Sequence, residues 1–222
     1  MLPPTDTMER HAELERRGWV RVTDISTRPA LLELARSLGS PVPSPTGELV
    51  KEIRITPASN ARTGTLSAAY GDGEFPLHTD TAFWPVPARY IVLRVRGDTR
   101  RPTTISSFED LSQECGGHSL LVLAEKSIWR VRTRSASFYC SLRFRVNRSS
   151  GWRYDRECMF PANGAAQKLE QILESLTTGS RGESIGWSGD EAIVLSNWSI
   201  LHGRGRAPRD EKERILDRVY VR

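Results

Sequence analysis

Cysteine is scarce in this 222-residue chain, with Cys115, Cys140 and Cys158 as the only three. No pair has Cys-x-x-Cys spacing and the number is odd. This argues against both a disulfide framework and a zinc ribbon and leaves reduced structural thiols. Long apolar runs are also missing. Only 38% of residues are hydrophobic, and no stretch approaches the roughly 20 apolar residues of a membrane span, so the chain reads as soluble. The N-terminus has no apolar core of an export signal, since Met1-Leu2-Pro3-Pro4 runs into the charged residues 9–17. A cytoplasmic protein is expected from this. There is no internal repeat and no long Lys/Arg block. The net charge of +5 and pI near 9.4 come from arginines interspersed with acids, as in Arg209-Asp210-Glu211-Lys212-Glu213-Arg214. Such a balance favours solubility and attraction of small acidic ligands over a nucleic-acid partner.

The patterning then points to a mainly β chain with flanking helices, arranged as one domain over residues 1–222. Residues 1–48 read as an α/β opening segment: the end of a short helix at 13–17, a strand at 18–22, and a helix at 29–38 closed by Gly39 and Pro41. Residues 49–222 read as a β-barrel or jelly-roll core. Its strands are expected at 50–55, 88–95, 119–124, 128–132, 138–146, 192–195 and 215–221. One helical insertion interrupts them near 165–176, where apolar residues recur at 165, 169, 172, 173 and 176. Residues 44–48, 71–74, 97–102 and 179–189 carry the Gly, Pro, Ser and charged residues of loops.

Only four histidines are present. His78 stands two residues before Asp80, and on an extended strand positions i and i+2 share a face, so an imidazole and a carboxylate address one point. His202 supplies a third candidate, just past the expected core strand at 192–195 and beside Gly203. Two histidines and one carboxylate occupy one face of an octahedral metal and leave three positions open, an arrangement that suits Fe(II); zinc also accepts this donor set. A His-x-Asp pair alone is a weak signal and more often a hydrogen-bonded surface pair than a metal site. His11, in a charged helix, and His118, after Gly116-Gly117, read as solvent-exposed.

Three segments together carry a resemblance: Phe75-Pro76-Leu77-His78-Thr79-Asp80-Thr81-Ala82-Phe83-Trp84, Asn197-Trp198-Ser199-Ile200-Leu201-His202-Gly203-Arg204, and Glu213-Arg214-Ile215-Leu216-Asp217-Arg218. In this order and at these separations the chain resembles the taurine dioxygenase and clavaminate synthase-like family of Fe(II)/2-oxoglutarate-dependent oxygenases. The resemblance implies a double-stranded β-helix (a jelly roll, cupin-like) with the metal in the mouth of the barrel. It implies His78, Asp80 and His202 as the catalytic iron ligands, and Arg214 as the partner of the distal carboxylate of 2-oxoglutarate. A guanidinium is suited to that task because its planar fork can donate two parallel hydrogen bonds to a carboxylate. Thr103 or Thr104 would assist, with Thr103 preferred because it follows Pro102. Arg218, four residues after Arg214, occupies a position that can reach the substrate in relatives.

The implied reaction consumes O₂ and 2-oxoglutarate, releases succinate and CO₂, and oxidises an unactivated C–H bond of a small molecule, with hydroxylation as the default outcome. Desaturation or cyclisation, a macromolecular substrate, and a catalytically silent jelly roll are the alternatives. Tyr70, in the glycine-containing segment 67–74, reads as part of a mobile cover or of an ordinary turn. Arg153 and Asp155 could meet the carboxylate and amine of an amino-acid-like substrate, or form an exposed turn. Trp84 and Trp198 flank the ligand segments and read first as packing that orients the ligands.

Overall fold

The structure is a computed structural model that describes residues 4–61, 63, 65–97, 99–114, 117–177, 182–206 and 214–222. Cys115 and residues 207–213 lie outside the described residues. The chain opens with α1 (Pro4–Arg17), β1 (Trp19–Thr23), α2 (Arg28–Leu38), β2 (Pro41–Val42) and β3 (Lys51–Arg54). A 3-10 turn (Ala58–Asn60) and α3 (Leu66–Tyr70) lead to β4 (Phe75–His78), β5 (Tyr90–Arg96) and β6 (Thr103–Ser107). Next come α4 (Phe108–Glu114), α5 (His118–Lys126), β7 (Trp129–Arg132), β8 (Ser137–Cys140), β9 (Arg143–Val146), β10 (Ser149–Trp152) and β11 (Met159–Pro161). The last elements are α6 (Gly164–Thr177), β12 (Glu183–Ile185), β13 (Glu191–Ser196), β14 (Ile200–Arg204) and β15 (Ile215–Val221).

Two antiparallel sheets organise the molecule. The larger runs β1-β13-β5-β15-β2 with β3 also on β15, and the smaller runs β12-β6-β14-β4. Alternation decides what lies between them. Ile91, Leu93, Ile193 and Leu195 of the larger sheet pack with Ile105, Ile185 and Ile200 of the smaller one in a single cluster. The intervening residues of the larger sheet, Val92, Val194 and Val219 among them, face outward and are covered by α2. That helix starts at Thr27, whose hydroxyl accepts from the Ala30 N–H at 3.3 Å, a cap that satisfies one of the orphan amides. Its i, i+3, i+4, i+7 residues Leu31, Leu34, Ala35 and Leu38 are buried, at about 1.5–3 kcal/mol for each leucine. The outer side of the smaller sheet is covered by α4, α5, α6 and the β11-β7-β8 sheet, through Leu77, Leu201, Leu111, Leu169 and Trp129.

Two expected strands differ from those observed. Residues 119–124 form part of α5. A short unbroken apolar run is ambiguous between strand and helix, and here Leu120 and Ala124, four apart, bury one helical face in the core. Residues 138–146 are two strands, β8 and β9, because Leu142 turns fully inward and its carbonyl accepts from the Arg153 N–H at 2.9 Å. Cys140 and Cys158 are free thiols, as the spacing suggests.

Candidate metal and carboxylate site

β4 is the edge strand of the smaller sheet, and its pairing with β14 shifts register between His202↔His78 and Arg204↔Phe75. Pro76 falls in that irregularity, where its missing N–H costs no ladder bond. Its carbonyl accepts from His78 Nδ1 at 2.9 Å, which sets the tautomer and turns Nε2 toward Asp80. His202 follows β13, as its place in the sequence suggests, and lies within the next strand, β14, opposite His78. Gly203 makes this approach possible, since a Cβ there would stand 2.5 Å from the Phe75 carbonyl oxygen.

Asp80 reaches the same point by a different route from simple strand alternation. β4 ends at His78, and Asp80 occupies the turn beyond it. The turn is held by Asn197, which is fully buried. Asn197 Oδ1 accepts from the Asp80 N–H at 3.0 Å, and Nδ2 donates to the carbonyls of Asp80 at 2.9 Å and Ala88 at 2.8 Å. Asn197 belongs to the 197–199 turn that carries the chain from β13 in the larger sheet to β14 in the smaller. It therefore ties both ligand segments together. Its side-chain role was not read from the sequence, although the residue stands within the second motif segment.

His78, Asp80 and His202 each offer one ligand atom, all within 4.8 Å of one another. Nε2 of His78 is 3.6 Å from Asp80 Oδ1, and Nε2 of His202 is 3.7 Å from Oδ2. Arg218 Nη1 donates to that second oxygen at 2.7 Å. Burial opposes the charge of Asp80, but the Arg218 guanidinium and the two imidazoles hold its carboxyl well below the usual range. Burial also opposes protonation of His78, yet Asp80 beside it moves that group upward. Burial, with the charges of His78 and Arg218, moves His202 downward. The site thus offers an ionised carboxylate and an imidazole, His202, that favours its neutral form. Neutral imidazole and carboxylate are the forms a metal takes. This donor set fits Fe(II).

A cavity of about 580 Å³ opens on these three residues and is also lined by Thr103, Arg214 and Arg218. Arg214 is buried, and its Nη2 donates to Thr103 Oγ1 at 2.8 Å. Thr103 lines this cavity, whereas Thr104 lines a separate small one. Leu66, Leu93 and Leu216 supply apolar wall. α3 contributes Leu66 and Ser67 to the lining, and Tyr70 does not line it.

The remaining candidates lie elsewhere. Arg153 is buried; Nη1 donates to the Trp84 carbonyl at 2.9 Å and Nη2 to Pro85 at 2.8 Å, while the guanidinium lies over Phe144 at 4.7 Å. It holds the turn behind the ligands and does not line the cavity, which corrects its reading as a substrate contact. Asp155 is half-buried, accepts from the Glu157 N–H at 2.9 Å, and also lies outside the lining. Tyr70 donates to Glu157 Oε1 at 3.0 Å, and burial together with that carboxylate pushes its phenol up to about 12. Trp84 packs edge-on against Tyr220 at 5.6 Å, and Trp198 donates from Nε1 to the Pro87 carbonyl at 3.0 Å. Neither lines the cavity. His11 is half-buried, with its ring edge-on to Tyr90 at 6.5 Å.

The fold has counterparts among solved structures. The chain shares the fold of non-haem iron oxygenases. It superposes on the oxygenase OrfP in complex with Fe and α-ketoglutaric acid with a TM-score of 0.71 at 21% identity, over 99% of this chain and 80% of that one. Asparagine oxygenase in complex with Fe(II), 2S,3S-3-hydroxyasparagine and succinate gives 0.72 at 16%, over 99% and 79%. PvcB from Pseudomonas aeruginosa gives 0.69 at 18%, over 99% and 80%. No family model and no curated protein sequence matches the chain.

Proposed function

We propose that this chain is a non-haem Fe(II)- and 2-oxoglutarate-dependent dioxygenase built as one domain on a double-stranded β-helix, of the taurine dioxygenase and clavaminate synthase-like type. One observation carries the reading: His78, Asp80 and His202 converge in the same cavity as Arg214 and Thr103. Three candidate metal donors and a guanidinium fork therefore open on one cavity.

His78, Asp80 and His202 would hold the iron. Bound there with 2-oxoglutarate and O₂, it would supply oxidative decarboxylation of the keto acid to succinate and CO₂, coupled to oxidation of a C–H bond. Arg214 binds the distal carboxylate, and Thr103 fixes the guanidinium and can donate its own hydroxyl. Arg218 neutralises Asp80 at Oδ2 and lines the cavity. Leu66, Leu93 and Leu216 exclude water from the co-substrate and strengthen each polar contact inside. Asn197 orients Asp80 without touching substrate.

The substrate is a small molecule, and hydroxylation is the outcome to test first. The fold relatives hold (3S)-hydroxy-L-Arg and 3-hydroxyasparagine, which makes free amino acids the first panel. An anaerobic calorimetric titration tests the cofactor reading. Fe(II) and 2-oxoglutarate should bind in sequence, with Fe(II) binding lost on His202→Ala; binding of neither, or no effect of the substitution, rejects it. Succinate release across the amino acids then reports the substrate class.

A further inference from the structure

The charge of this chain is concentrated in one place. Residues 127–154 contain seven arginines, at 130, 132, 134, 143, 145, 148 and 153, and no acidic residue. Seven of the 32 basic residues thus lie here, leaving 25 against 27 acidic residues in the rest of the chain. The net +5 arises wholly from this segment.

Pairing separates it from several other arginine-bearing surfaces. Arg17, Arg28, Arg54 and Arg156 each form an ion pair with a glutamate. Within the segment, Arg143 pairs with Glu125, and Arg153 is buried on carbonyls. Arg130, Arg132, Arg134, Arg145 and Arg148 are exposed, and none has an acidic partner among the described residues. Arg130 and Arg132 stand at i and i+2 on β7 and so share a face. Like charges held on one face repel, and no acidic neighbour among the described residues compensates them.

Aromatic rings complete that face. Arg130 lies directly between Phe160 on β11 and Tyr139 on β8 in the strand register. These two rings are 44% and 66% exposed, among the few large apolar side chains left in solvent. The opposite face of the same small sheet is buried through Trp129, Val131 and Met159. A flat strand surface that aligns exposed rings with unpaired arginines has the two elements of a single-strand platform: cations for phosphates and π-faces for unpaired bases. A duplex keeps its bases stacked inside and could use only the charges.

We propose that the exposed face of the β11-β7-β8 sheet, with Arg130, Arg132, Tyr139 and Phe160 at its centre, binds single-stranded nucleic acid. This departs from the expectation drawn from whole-chain composition, because averaging over all residues hides an acid-free segment. It does not depend on the metal site.

Fluorescence anisotropy of the full chain with labelled oligothymidylate of about 15 nucleotides, a length within the range such surfaces occupy, tests it. Binding should weaken steeply between about 50 and 200 mM salt. Arg130→Ala and Arg132→Ala should each reduce the salt slope by about one. Tyr139→Ala should weaken binding roughly tenfold while leaving the slope unchanged. Arg16→Ala, at an arginine on α1 near Glu13, should change neither. Tyr139 is exposed, so an unchanged unfolding midpoint will certify the fold of that variant. Absence of binding overturns the proposal, as does equal affinity for a duplex of the same length. Equal competition by polyglutamate would assign the face to an acidic protein and overturn it too.

Discussion

His78 and His202 face each other across β4 and β14, with ring centroids 4.6 Å apart. Two imidazoles 124 positions apart in sequence are thus cross-strand neighbours in one sheet, and their separation is set by how closely two backbones approach. Gly203 controls that approach. Gly203→Ala places a methyl 2.5 Å from the Phe75 carbonyl oxygen and must push the edge strand away. A fall in Fe(II) affinity of at least tenfold is expected under anaerobic calorimetry, although no ligand is removed. Unchanged affinity would show that the edge strand absorbs the shift elsewhere.

Arg214 and Thr103 give the second prediction. Arg214→Lys keeps the charge and loses the fork, so 2-oxoglutarate affinity should fall by about 1.5–3 kcal/mol, roughly 10- to 100-fold. Thr103→Val should weaken the same binding several-fold, and Thr104→Val should not. Equal effects of the two threonine substitutions would contradict the assignment from cavity lining.

Asn197→Ala removes three hydrogen bonds at a residue with no exposure. Leaving buried backbone groups unpaired costs about 1–3 kcal/mol each before relaxation. A loss of about 3 kcal/mol would lower the unfolding midpoint by roughly 6–12 °C in a chain of this size. Metal affinity should fall with it. Arg153→Ala, by contrast, should cost stability while 2-oxoglutarate affinity in the folded fraction persists, which calorimetry at low temperature would separate.

Acid should weaken the fold through Glu191. Burial opposes its charge, but Ser188, which donates from N–H at 2.7 Å and from its hydroxyl at 2.5 Å, and Arg21 hold its carboxyl below 4.5. A depressed carboxyl stabilises the fold above its unfolded pKa and loses that contribution as pH falls through the folded value. The unfolding midpoint of Glu191→Gln should therefore lie below that of the parent at pH 7, and the gap should narrow as pH falls below 4.5 and close as it passes through the depressed folded value. A gap that does not narrow on acidification would assign the effect to packing.

Several features are fully legible in the residues. Period-3.6 patterning marks α2 and α6, strand alternation marks β1, and three short segments present the candidate metal donors and Arg214 in order. These are local signals, or the identity of reactive groups, and neither requires knowing what packs where. Ambiguity enters where local chemistry permits two outcomes. The apolar run 119–124 suits strand and helix alike, and only burial against the core selects α5. Arg153 has the chemistry of a carboxylate receptor, yet its guanidinium is directed at backbone carbonyls from a turn 68 or more positions away.

The metal donors show the division most clearly. The sequence by itself determined that two imidazoles, a carboxylate and a guanidinium are available, and in what order. Only the tertiary structure decided that they meet, because the Asn197 clamp, the β4 irregularity at Pro76 and the close approach at Gly203 are relations between segments more than 100 residues apart. Hydrogen bonds and van der Waals contacts of that range form only once β4 has paired with β14 and the Asn197 turn has closed on Asp80.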